Sequence, residues 1–106
     1  MSKKMSINDI MMTVQTIANE NGEELSYTNK MIYLKMIEYA EKYSVKDCPV
    51  WISFEVTTVG FAKYCQVSQR MVTETLRKLD ACGVLRYRVK HPHPSIVTLY
   101  KKYYEK

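Results

Sequence analysis

The sequence predicts a mainly α-helical domain completed by a small antiparallel β-sheet, and three observations lead there. The stretch from Thr57 to Leu85, TTVGFAKYCQVSQRMVTETLRKLDACGVL, has helical apolar spacing on both sides of a short break at Gln66 and Val67. After Gly83 the period changes to two, with Leu85, Tyr87 and Val89 on one side and Arg86, Arg88 and Lys90 on the other. A chain of 106 residues, 46% of them hydrophobic, has room for one domain with one core.

Taken in order, Ser6 to Glu20 reads as an amphipathic helix with Ile7, Ile10, Met11, Val14, Ile17 and Ala18 on one face. Ser6 and Asp9 suggest a capping box, and Asn21-Gly22 ends the helix. Residues 1–22 are therefore expected to pack on the domain or to serve in self-association. Residues 23–100 form the domain proper, beginning with a short linker from Glu23 to Tyr27. A longer helix follows from Thr28 to Tyr43, with Met31, Leu34, Ile37 and Ala40 on one face and Tyr33, Met36, Tyr39 and Tyr43 on a second. Lys46 to Pro49 reads as a turn, and Val50 to Phe54 as a short strand in which Trp51 is expected as a buried anchor, with a stacking platform as the alternative.

In the stretch from Thr57, the first helix carries Val59, Ala62 and Cys65 on one face. Ser68 is placed to cap the second helix, its hydroxyl taking up a free amide donor. That helix aligns Val72, Leu76 and Leu79, leaving Gln69, Arg70, Thr73, Arg77 and Lys78 on the opposite face, and Gly83 stops it. This is a helix-turn-helix pattern. A hairpin follows, running from Val84 to Lys90, turning through His91-Pro92-His93-Pro94 and returning from Ser95 to Tyr100. Residues 101–106, KKYYEK, make a basic aromatic tail expected to be loosely held.

Charge is divided along the chain. Residues 1–55 hold six Lys against eight acids, a net of −2, whereas residues 56–106 hold ten Lys or Arg against three acids, a net of +7. The basic half contains the helix-turn-helix pattern, and such a one-sided field suits a polyanion.

The run Ala62, Val67, Ser68, Val72, Leu76, Leu79, Gly83 and Leu85 resembles the winged-helix DNA-binding pattern over about Thr28 to Tyr100. The phrase from Leu25 to Tyr33, LSYTNKMIY, resembles the opening of the winged-helix domain in plasmid and phage replication initiators. In size and domain content the chain is also similar to the small winged-helix single-strand-binding proteins encoded beside a replicative helicase on mobile chromosome cassettes. These resemblances imply a winged helix-turn-helix fold and DNA as partner, with a replicative helicase or polymerase nearby. Winged helices that serve only as protein-docking modules supply the alternative.

Catalysis finds little support in the sequence. Cys48, Cys65 and Cys82 lie 17 residues apart in each case and show neither zinc-ligand spacing nor a disulfide framework. Cys65 and Cys82 are expected as small core hydrophobes. His91 and His93 each adjoin a proline at a turn tip, where phosphate contact or solvent exposure is the natural reading. No cofactor or metal is expected. Glu74 opposes a simple phosphate clamp, and an i, i+4 pair with Lys78 is its default. No apolar run approaches the roughly 20 residues that cross a bilayer, and Met1 to Lys4 leads into no signal-peptide core, so a cytoplasmic protein is expected.

Among the nine tyrosines, Tyr33, Tyr39 and Tyr43 have core periodicity, whereas Tyr87, Tyr100, Tyr103 and Tyr104 are interleaved with Arg86, Arg88, Lys90, Lys101 and Lys102. Rings beside cations suit unstacked bases. Tyr87 is assigned to the core side, with stacking as its alternative. The expected DNA-binding set is therefore Ser68, Gln69, Arg70, Thr73, Arg77 and Lys78 on the second helix, Arg86, Arg88, Lys90, His91 and His93 on the hairpin, and Lys101, Lys102, Tyr103 and Tyr104 in the tail. Three functions are compatible with it: a single-strand-binding replication accessory, a sequence-specific duplex regulator, and a docking adaptor for a helicase or polymerase.

Overall fold

The computed structural model describes residues 3–90 and 94–106. Helix α1 (Ile7–Glu20) starts at Ser6, whose Oγ accepts the Asp9 N–H at 3.2 Å, and stops at Asn21 before Gly22 turns the chain at φ +70°. Helix α2 (Tyr27–Tyr43) starts at Ser26 with a reciprocal cap: Ser26 Oγ accepts from Asn29 N and Asn29 Oδ1 accepts from Ser26 N. Its buried residues form one stripe of Asn29, Ile32, Tyr33, Met36, Ile37 and Ala40. The two faces expected from the sequence thus merge, with Met31 and Leu34 half-buried at the margin and Tyr43 exposed.

Four strands form one antiparallel sheet in the order β1-β2-β4-β3: β1 (Ser44–Asp47), β2 (Trp51–Val56), β3 (Leu85–Arg88) and β4 (Ser95–Tyr100). Strand β1 takes up Lys46 and Asp47, the first half of the expected turn at Lys46–Pro49. It is exposed throughout and pairs only with β2, so it has no buried face to produce a hydrophobic alternation. Trp51 is half-buried rather than a core anchor. Across the central strands, Ile52, Phe54 and Val56 share the core face with Leu85, Val97 and Leu99. The residues between them, Trp51, Ser53 and Glu55 on β2, Ile96, Thr98 and Tyr100 on β4, and Arg86 and Arg88 on β3, lie on the outer face.

Helices α3 (Thr58–Cys65) and α4 (Gln69–Ala81) sit between β2 and β3. Gln66 ends α3 in the left-handed conformation, φ 59°, and the Val67 N–H returns to the Ala62 carbonyl at 3.0 Å. Phe61 and Ala62 are the buried residues of α3, whereas Val59 is 52% exposed. Positions i, i+3 and i+6 fan over about 120° of a helix, so Val59 drifts off a face centred on Ala62. Helix α4 buries Val72, Leu76 and Leu79 as its spacing predicts, together with Thr75. Tyr39 joins the three layers here, its ring 5.3 Å from Phe54, 5.4 Å from Phe61 and 5.2 Å from Tyr64.

The chain ends are tied to each other. Lys101–Tyr103 make a single 3-10 turn, Met5 N–H donates to the Tyr104 carbonyl at 2.8 Å, and Lys106 N–H donates to the Lys3 carbonyl at 2.8 Å. Tyr104 is 2% exposed. The tail expected to be loose is therefore part of the domain. Helix α1 joins the same core through Ile10, Val14 and Ala18, while Ile7 is 63% exposed and does not take part.

Candidate nucleic-acid interface

The second helix of the corner positions the first group of expected site residues. Ser68 Oγ accepts the Met71 N–H at 3.1 Å, so the hydroxyl is engaged in starting α4. From that fixed start the exposed arc carries Gln69, Arg70, Thr73, Glu74 and Arg77, which line an open cleft of about 550 Å³. Gln69 Nε2 donates to Thr58 Oγ1 at 2.8 Å, and Thr73 Oγ1 donates back to the Gln69 carbonyl at 3.1 Å. Glu74 pairs with Lys78 at 3.4 Å, the i, i+4 contact expected from the spacing. Lys78 also donates to the Glu24 carbonyl at 2.8 Å, which ties the ammonium to the linker between α1 and α2 and takes it out of the set of open cations.

A groove of about 360 Å³ adjoins this helix, bordered by Thr57 and Thr58 before and at the start of α3, Thr73 on α4, and Tyr87, Lys90 and Pro94 on the hairpin. The Tyr87 N–H donates to Asp80 Oδ1 at 3.4 Å, fastening β3 to the last turn of α4. The register then divides what the sequence pools. Arg86 and Arg88 stand opposite Thr98 and Ile96 on the outer face of the sheet, whereas Tyr87 is turned toward the helices. Lys90 therefore joins the groove without the two arginines, and lies beyond the end of β3, as does exposed Val89. His91 and His93 fall outside the described residues.

The tail contributes less than the sequence suggests. Burial of Tyr104 removes its ring from any stacking role, because a base needs an open ring face. Tyr103 is half-buried against the core, with Lys102 Nζ 5.1 Å from its ring centroid. Lys101 forms an ion pair with Asp47, and its backbone N–H donates to the Val50 carbonyl at 3.0 Å. None of the four ion pairs among the described residues involves Arg70, Arg77, Arg86, Arg88 or Lys90, which leaves these five with charge to offer.

The sequence reading offers Trp51 as a stacking platform in the alternative and groups Tyr100 with the rings beside cations, but passes over their shared place on the outer sheet face. Trp51 and Tyr100 are directly opposed across β2 and β4, and Lys46 Nζ lies 5.7 Å from the Trp51 ring centroid. The period-two run Trp51, Ser53, Glu55 is the signal that could have found it.

Burial pushes the Cys65 thiol up to about 11 and raises that of Cys82 as well, which keeps both protonated near neutrality. Among the described residues no group of three or more His, Cys, Asp or Glu is arranged to hold a metal ion, and no helix is long and apolar enough to cross a membrane. Neither a protein-family model nor a curated protein nor a solved structure matches the chain.

Proposed function

We propose that this chain is a winged helix-turn-helix protein that binds DNA without enzymatic activity, with single strands as its working substrate and replication as its setting. The fold reading is supported by the succession of α2, β2, α3, α4 and the β3–β4 hairpin, in which β4 inserts between β2 and β3. The observation that carries the binding assignment is the pair Arg70 and Arg77, which flank Thr73 on the exposed arc of a capped helix and take part in none of the described ion pairs.

A single strand suits this surface better than a duplex. Glu74 interrupts the basic arc, Gln69 and Thr73 spend hydrogen bonds within the protein, and the remaining cations are divided between the α4 side and the outer sheet face. A flexible backbone can follow such a path, and a stiff duplex cannot bend to it cheaply. The duplex reading keeps one observation in its favour: Gln69, Arg70 and Thr73 lie in the first turns of α4, the part of a recognition helix that meets base edges.

Binding of one labelled oligonucleotide as a single strand, as a random duplex and as the native upstream duplex, each at two salt concentrations, tests the proposal. Tighter binding of the single strand, weakening steeply with salt, is the expected result. Selection of the native duplex over both others would transfer the protein to the regulators.

A further inference from the structure

The outer face of the sheet combines the features that unpaired bases require, and it is a different surface from the exposed arc of α4. Trp51 and Tyr100 occupy directly opposed positions on neighbouring strands, so both rings rise from the same face. They border an open cleft of about 570 Å³ together with Pro49, Val50 and Lys102. Next along the strands comes a polar row in which Ser53 and Thr98 share a 2.8 Å hydroxyl contact, flanked by Lys46 on β1 and Arg86 on β3. The third row holds Glu55, Ile96 and Arg88. Among the described residues, Lys46, Arg86, Arg88 and Lys102 thus meet only Glu55 and Glu105 on this side of the molecule, since Asp47 stands opposite core-facing Ile52 and takes up Lys101 in an ion pair.

A ring held on a strand has lost its rotamer freedom before any ligand arrives, so a base stacking on it gains contact at small entropic cost. Cations on both sides of the rings supply the phosphate contacts that bring a strand across them. The charge balance and the half-buried rings favour a polyanion with flat apolar groups over an apolar protein segment, which would leave Arg86 and Arg88 desolvated and unpaired.

We infer that Trp51 and Tyr100 form a stacking platform for the unpaired bases of single-stranded DNA, with Lys46, Arg86, Arg88 and Lys102 holding the backbone. This rests on the single-strand reading above and assigns its base contacts to the sheet instead of to the tail tyrosines. Stacking on one ring is sequence-tolerant, so the platform takes any strand.

Trp51 is the chain's single tryptophan and therefore its own reporter. The test uses the full chain and an end-labelled oligothymidylate of about 16 nucleotides, the upper site size of a single-strand-binding domain. Label anisotropy reads binding, Trp51 emission reads stacking, and an abasic strand of equal length separates bases from phosphates. Emission should be quenched in step with the anisotropy rise. Trp51→Ala and Tyr100→Ala should each weaken oligothymidylate binding by about 5- to 150-fold, with little effect on the abasic strand. Should Trp51→Ala fail to fold, Tyr100→Ala with Trp51 emission as readout decides alone. Binding that leaves emission unchanged and survives Tyr100→Ala, yet is lost in Arg70→Ala with Arg77→Ala, overturns the platform while the single-strand reading stands. No binding of oligothymidylate at all overturns both.

Discussion

Asn29 and Thr75 meet in the core at 2.7 Å, 46 residues apart in sequence and 1% and 0% exposed. The Asn29 amide donates to Thr75 Oγ1 while its oxygen accepts the Ser26 N–H, and Thr75 Oγ1 donates to the Met71 carbonyl at 2.8 Å. One side chain therefore caps α2 and also locks α2 against α4. Its polar atoms are satisfied inside the protein, so removing Thr75 Oγ1 leaves the buried Asn29 amide with only a weak 3.6 Å contact to Met71 Sδ.

Thr75→Val keeps the volume but leaves the Asn29 donor only the sulfur of Met71, a weak acceptor, and should destabilise by about 1–3 kcal/mol. Asn29→Leu should cost more, because it also removes the reciprocal cap at Ser26, an effect of about 1 kcal/mol by itself. Urea unfolding of the two variants and of the double variant gives the coupling between them. Equal and additive losses would show that the two groups act independently.

Tyr33 presents the opposite situation. Its ring is 1% exposed and its hydroxyl has no hydrogen-bond partner among the described residues. Burial raises its pKa well above the ordinary range, with Tyr104 and Tyr103 adding to the effect. Because the unfolded chain releases this proton near pH 10 and the folded chain holds it, titration of Tyr33 leaves stability unchanged below that pH and withdraws it as pH climbs above, by up to about 1.4 kcal/mol per pH unit, while the unpaired buried hydroxyl is a cost at any pH. Tyr33→Phe should thus be neutral or stabilising at pH 7 and should unfold at a higher pH than the parent. Circular dichroism during an alkaline titration reads both, and an unchanged alkaline midpoint would remove Tyr33 from the cause.

Why some of this could be read in advance and some could not follows from how local each signal is. The start of α4 is written in Ser68 and its apolar face in Val72, Leu76 and Leu79, all within the helix itself. Strand β1 escapes because an exposed edge needs no apolar pattern. The docking of Tyr104 escapes because it depends on Lys3 and Met5, a chain length away. At the site, alternation correctly separates Arg86 and Arg88 from Tyr87. Only the register shows that this separation puts the arginines on the sheet face that carries Trp51 and Tyr100, away from α4.

The clasp between the chain ends should be visible in stability. Tyr104→Ala removes a buried ring from beside Tyr33 and should cost about 3–5 kcal/mol, the usual range for truncating a core aromatic. Deleting residues 101–106 should cost at least as much, since the Met5 and Lys106 backbone bonds go with it. Thermal unfolding measures both. A truncated chain that melts with the parent would restore the tail to a loose appendage.

The arginines of α4 give the last prediction, which bears on what this helix does. Arg70 and Arg77 are exposed, line the same cleft and make none of the described ion pairs, so their removal leaves no partner stranded and should change stability by less than about 0.5 kcal/mol. If each neutralises one phosphate of a single strand, Arg70→Ala with Arg77→Ala should reduce the slope of log affinity against log salt by about 1.4 in magnitude and weaken all strands alike. Gln69→Ala with Thr73→Ala behaves differently. These side chains hold internal hydrogen bonds to Thr58 and to the Gln69 carbonyl, so the substitutions should leave the salt slope unchanged and alter single-strand affinity little. Fluorescence anisotropy at several salt concentrations measures both pairs on strands of different sequence. A helix that reads a duplex would reverse the order: the Gln69 and Thr73 substitutions would then erase a preference for one sequence, by about 1–3 kcal/mol for each base edge no longer read, while the arginine pair would shift every affinity together and leave that preference in place.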